Sequence, residues 1–284
     1  MSGVERTAAV DPYRWSSAIR TGAPALILTS AIAVNEAFIY VGRVRYALLG
    51  HLVVLVACTT LAVSLTEGFE LYQAVLLLPV FRLTNVGTLE FVFGALELME
   101  VSLPLDPELS LHWLLVMYGV FLPVVLVAIR YNGAVDLDAG WRTGALLVPG
   151  VFILSVILAS VEREVLPSVD VLPPTTLASL VVLSVVLVGV GLVEELLFRG
   201  LLQESLQASL GPWPGIVAAS VAFAAMHAVY QAPAVVGYAF GFGLLLGAIY
   251  YETRSFVTVA LLHGLTNAFL FGVFPTTGPW FVFG

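Results

Sequence analysis

Residues 175–203 read TTLASLVVLSVVLVGVGLVEELLFRGLLQ. Between Thr176 and Val193 this run carries no charged side chain. A helix rises about 1.5 Å per residue, so the run spans most of the roughly 30 Å hydrocarbon core of a bilayer. A helix that is apolar all round must be buried in a large protein or in lipid. The rest of the chain decides between them, because hydrophobic residues make up 60% of the 284 and charged residues 11%, with a mean hydropathy of +1.02. An average soluble domain is about a quarter charged. Comparable runs recur at 22–42, 46–66, 70–103, 111–130, 143–160, 213–231, 234–251 and 255–274. The fold class read from this pattern is all-α: a polytopic transmembrane helical bundle of about nine spans, within a range of eight to ten.

The stretch 70–103 is the least regular of these. Pro79, Arg82, Glu90, Glu97 and Glu100 interrupt it and suit either a kinked helix or a surface helix followed by a crossing. Residues 1–174 form an N-terminal membrane-spanning region of about five spans, residues 175–275 a core of four spans, and residues 276–284 an aromatic interfacial tail. The first twenty residues hold Glu5, Arg6, Asp11, Arg14 and Arg20, so the first apolar run starts too late for a short signal sequence and is expected to remain as an anchor. Arg130 and Arg142 flank one loop, whereas the next, from Glu162 to Asp170, is mostly acidic. The positive-inside rule then places the 130–142 loop in the cytoplasm, the 161–174 loop outside, and Glu194 toward the cytoplasmic half.

Composition also excludes. The net charge is −8, and all eleven basic residues are arginine. No basic stripe is available to neutralise phosphates, so no nucleic-acid partner is expected. Cys58, the only cysteine, rules out an internal disulfide and any multi-cysteine metal cluster. Membrane lipid is the partner this composition suits. An acidic, lysine-free integral membrane protein fits the cytoplasmic membrane of a prokaryote.

Charge inside a spanning helix is the most informative feature, because each ionised group at the bilayer centre costs about 2.5 to 3.5 kcal/mol on insertion scales. Glu194, Glu195 and Arg199 stand together near the end of the quoted stretch. Glu195 and Arg199 are four apart with the acid first, the favourable order for an ion pair. Glu194, rotated by about 100° from Glu195, is left to address another helix. A carboxylate partly withdrawn from water accepts a proton more readily, as a general base must near neutral pH. The plainer alternative is a polar staple between helices.

Two of the four histidines lie in later apolar runs, His227 four residues after Phe223 and His263 four residues before Asn267. Each pair projects from one helical face. His51 and His112 read as interhelical or interfacial hydrogen-bonding groups, and Asn35 with Glu36 as a helix-packing contact. Water held between Glu194 and a histidine could be deprotonated for attack on a carbonyl. The other histidine and Asn267 could then donate to the oxyanion. The same residues could instead ligate a divalent metal such as Zn, with Glu194, His227 and His263 as ligands.

These three ordered motifs, Glu194-Glu195-x-x-x-Arg199, Phe223-x-x-x-His227 and His263-x-x-x-Asn267, resemble those of the CPBP family of intramembrane proteases. That group contains CAAX prenyl endopeptidases of the Ras-converting type and bacteriocin-processing enzymes. The resemblance covers residues 175–275. It implies an endopeptidase whose water is activated by Glu194, assisted by His227, His263 and Asn267, with Glu195, Arg199 and Phe223 in support. Family members are described both as metalloproteases and as glutamate proteases; without a His-Glu-x-x-His pair, glutamate-activated water is favoured here. The substrate implied is membrane-tethered, of prenylated CAAX type, or a leader peptide. A non-catalytic immunity or scaffolding protein of the same fold is the alternative. A transporter would call for a matching set of charges in an internal repeat, and the sequence has no such repeat.

Overall fold

The computed structural model describes residues 12–64, 69–87, 107–132, 140–166 and 176–274. Their regular structure is helical: α1 (Pro12–Tyr40), α2 (Val44–Ser64), α3 (Phe69–Arg82), α4 (Pro107–Asn132), α5 (Trp141–Val165), α6 (Leu177–Glu195), α7 (Glu204–Leu210), α8 (Pro212–Met226), α9 (Pro233–Thr253) and α10 (Phe256–Ala268). π-Helical segments continue α3, α6 and α10 over Leu83–Gly87, Leu196–Gln203 and Phe269–Val273.

Seven stretches among the described residues are long and apolar enough to cross a membrane, and Met117–Tyr131 of α4 is apolar but shorter. Together they account for every expected span except 70–103, of which α3 and its π continuation form the first part. Residues 88–106, with Glu90, Glu97 and Glu100, lie outside the described residues. So do residues 1–11, the loop segments 133–139 and 167–175, the tail 276–284 and the side chain of His112. The outward faces are apolar, with Leu49, Val53 and Val56 of α2, Leu146, Ile153 and Ile157 of α5, and Val181 and Val185 of α6 all exposed. In water such a surface would drive aggregation; against lipid chains it costs nothing. The chain is an integral membrane helical bundle.

Local chemistry sets where the helices begin. Thr176 caps α6 in a reciprocal box with Ser179: each side-chain oxygen accepts from the other residue's backbone N–H at 3.1 Å. Proline opens α8 (Pro212) and α9 (Pro233), where its missing N–H would have had no helical partner. Ser255 caps α10 by accepting from the Thr258 N–H.

The arrangement that positions the site is the crossing of α6 and α10. A methyl placed on Gly191 would lie 2.6 Å from the Gly264 nitrogen, and one on Gly264 would lie 2.7 Å from Val188 Cα. The two backbones are therefore in direct contact one turn from Glu194, Glu195 and His263, a proximity that small residues allow between membrane helices. α10 also packs on α5, α9 on α8, and α4 on α6, while α1 leans on α8 and ties the N-terminal group to the rest.

Gly191→Ala is expected to destabilise the fold by about 1–3 kcal/mol through overpacking, read as a lower thermal midpoint in detergent. Gly189→Ala, on the same helix with open space around its Cβ position, should leave that midpoint unchanged or raise it.

Candidate active site

Glu195 is fully buried and Arg199 nearly so. A carboxylate placed there must be paired, since several kcal/mol of solvation are otherwise lost. Glu195 Oε1 accepts from Arg199 Nη1 at 3.0 Å and from His263 Nδ1 at 2.7 Å. The first bond is the expected pair within one helical segment; the second reaches across to α10. Arg199 Nη2 donates to the Gly243 carbonyl of α9 at 3.2 Å, and one turn further on Gln203 Nε2 donates to Gly247 O at 3.0 Å. The π segment Leu196–Gln203 is thus bonded to α9 through two successive turns. Glycine at 247 leaves room for this amide: a methyl there would meet Gln203 Oε1 at 2.7 Å.

Phe223 packs these charges together. Its ring lies 4.7 Å beneath the Arg199 guanidinium carbon, a cation–π contact. It also stands edge-on to His263 at 5.8 Å and 4.6 Å from the His227 ring. His227 sits at the C-terminal cap of α8, just before the 3₁₀ turn Ala228–Tyr230. Its Nδ1 is 2.8 Å from the Phe223 carbonyl. A carbonyl can only accept, so Nδ1 carries the proton and Nε2 is the free nitrogen. By the same reasoning the carboxylate of Glu195 fixes a proton on His263 Nδ1, and His263 Nε2 then faces Glu194 Oε2 at 3.8 Å.

Glu194 addresses another helix, as its rotation from Glu195 requires. Tyr118 of α4 donates its hydroxyl proton to Glu194 Oε1 at 2.5 Å. Glu194, Tyr118 and His227 border a cavity of about 130 Å³, which Arg82, Asn85 and Tyr230 also line. That volume accommodates several waters. A second pocket of about 20 Å³, the size of a single water, is bordered by His227, His263, Asn267, Glu162 and Tyr238. His227 is common to both. The structure therefore brings Glu194, Glu195, Arg199, Phe223, His227 and His263 into one connected cluster, with Asn267 on the far pocket beside His263.

Several polar residues at the site carry no motif. Glu162, read from sequence as part of an acidic loop, belongs to α5, which runs on to Val165. Arg82, a lone charge in an apolar run, donates from Nε and Nη2 to the two oxygens of Glu36 at 2.8 Å each, and from Nη2 to the Met226 carbonyl at 2.6 Å. His51 Nε2 lies 3.1 Å from Glu36 Oε1. This buried group from α1, α2 and α3 therefore grips the residue that precedes His227. Its sequence signal was the isolated intramembrane charges Glu36 and Arg82; nothing in the sequence pairs them.

Among the described residues no three His, Cys, Asp or Glu side chains stand together as a ligand set.

Residues 175–269 match the family model described as Type II CAAX prenyl endopeptidase Rce1-like. No curated protein and no solved structure matches the chain. That segment, which holds all three polar motifs, is similar to the CPBP/CAAX protease family. The family is one of proteases, which supports an endopeptidase in general.

Removing one partner of the buried Glu36–Arg82 pair, as in Arg82→Met or Glu36→Leu, is expected to cost about 3–5 kcal/mol, whereas the double variant should recover most of the loss. Thermal midpoints of the four proteins in detergent check this.

Proposed function

We propose that this protein is an intramembrane endopeptidase that hydrolyses a peptide bond of a membrane-tethered substrate, of prenylated CAAX type or a leader peptide, with water activated by Glu194. The observation that carries the reading is the state of the Glu194 carboxylate. One oxygen is held by Tyr118, the other lies 3.8 Å from His263 Nε2, and the carboxylate borders the cavity of about 130 Å³.

In this reading Glu194 removes a proton from water as its oxygen attacks the carbonyl carbon. The C–N bond of the tetrahedral species then breaks, and Glu194 returns the proton to the leaving nitrogen. Asn267 assists by donating from its amide to the oxyanion, an effect worth several kcal/mol for a donor fixed in place beforehand, and His227 and His263, protonated on Nδ1, offer Nε2 as acceptors to the attacking water. Glu195 and Arg199 hold His263 in the tautomer that turns Nε2 toward Glu194. Residues 175–275 supply this core, residues 1–174 the surrounding spans, and the cytoplasmic membrane of a prokaryote suits the composition.

Purified wild-type protein in liposomes is expected to cleave a farnesylated CAAX-type peptide, and Glu194→Gln to lose about 10²- to 10⁴-fold in rate, the usual contribution of a general base. A chelator should leave wild-type cleavage intact. Equal cleavage by the variant would contradict the role of Glu194. No cleavage by either folded protein would favour a binding or immunity role. Tyr118→Phe is expected to lower kcat by about 10- to 100-fold, the value of one hydrogen bond to a charged group, with KM little changed.

A further inference from the structure

The larger cavity is shared by two sets of polar side chains. Glu194 and His227 come from the matched segment; Arg82 and Asn85 come from the end of α3 and its π continuation, outside it. π segments recur at functional sites because they turn side chains out of the regular helical register. Asn85 is 7% exposed, and its Oδ1 is buried without a hydrogen-bond partner among the described residues. Buried carbonyl oxygens are nearly always paired, so an orphan beside a cavity marks a place for a donor. Arg82 uses Nε and Nη2 for Glu36 and Met226. Among the described residues no hydrogen bond engages its Nη1. Apart from the phenols of Tyr118 and Tyr230, the remaining lining, Phe81, Leu114, Met117 and Val229 among it, is apolar.

An acceptor and a pair of donors, three residues apart and set in apolar walls, match what an extended peptide presents: N–H and C=O groups on its backbone and side chains that prefer an apolar surround. We propose that Asn85 and the Nη1 edge of Arg82 form a subsite for the backbone of an extended, apolar peptide segment, Asn85 Oδ1 accepting a peptide N–H and Arg82 donating to a peptide C=O. The proposal rests on the reading of this cavity as the peptidase site. Its consequence is a division of labour. Backbone contacts from the N-terminal region align the substrate irrespective of side chain, and the apolar walls choose among side chains within a residue or two of the bond that Glu194 addresses.

The test uses the full-length protein in nanodiscs, carrying Glu194→Gln so that bound peptide stays intact. The probe is a dansylated, farnesylated Cys-aliphatic-aliphatic-Ala peptide, together with analogues in which each backbone N–H in turn is replaced by an ester oxygen. Adding Asn85→Ala should weaken binding about 3- to 10-fold, the value of one hydrogen bond. One ester analogue should weaken binding to the Asn85-containing protein by a similar factor, and that analogue with Asn85→Ala should lose no more than either change alone. Unchanged affinity on Asn85→Ala, independent effects of ester and mutation, or no binding by protein with an unaltered thermal midpoint would each overturn the subsite. Cleavage of the peptide by the Glu194→Gln protein would instead sink the role of Glu194, and the coupling result would stand.

Discussion

A carboxylate buried in the middle of an apolar bundle has to be held from more than one direction, and Glu195 is held from two, both through Oε1, while its Oε2 has no hydrogen-bond partner among the described residues. Arg199, one turn along the same helical segment, and His263, from α10, share its Oε1. The bond to His263 depends on α6 and α10 touching backbone to backbone at Gly191 and Gly264. Loss of either partner would strand charge away from water, where it is most costly. The crossing, the tautomer of His263 and the position of the π segment are therefore one linked constraint. Arg199 extends it to α9 through the Gly243 carbonyl and to α8 through the ring of Phe223.

Glu194 inherits its setting from this frame without being consumed by it. With Glu195 absorbing the nearby positive charge, Glu194 is left with a phenol on one oxygen and an imidazole nitrogen near the other. The phenol comes from α4, and the grip on the backbone before His227 comes from Arg82 of α3. The site is thus built jointly by the segment that matches the protease family and by helices that the match does not cover. In a bilayer this is economical: the same polar bonds that hold helices together, where no hydrophobic force distinguishes protein from lipid, also orient the reactive groups.

The bundle was legible in the sequence because lipid demands long apolar runs and tolerates little else, so spans such as 46–66 and 234–251 stand out by composition alone. The side chains of the candidate site stood out for the converse reason. Glu194, His227, His263 and Asn267 are costly in an apolar run and recur at helical spacing. Tyr118 and Asn85 were not legible, since a tyrosine within an apolar helix and an asparagine near a helix end are common and only tertiary packing brings them to Glu194 or the cavity. Arg82 and Glu36 were visible as isolated charges, but their pairing across 46 residues is a property of the fold. Glu162 was misread as a loop acid because nothing local in Val-Glu-Arg-Glu-Val marks where α5 stops.

The account stands most directly on an experimental structure of the full chain in lipid, as Glu194→Gln with an uncleaved farnesylated peptide bound. It predicts a peptide carbonyl carbon beside residue 194 and the neighbouring backbone against Asn85. A peptide seated elsewhere on the bundle, or side chains 194, 227 and 263 pointing to different faces, would contradict it.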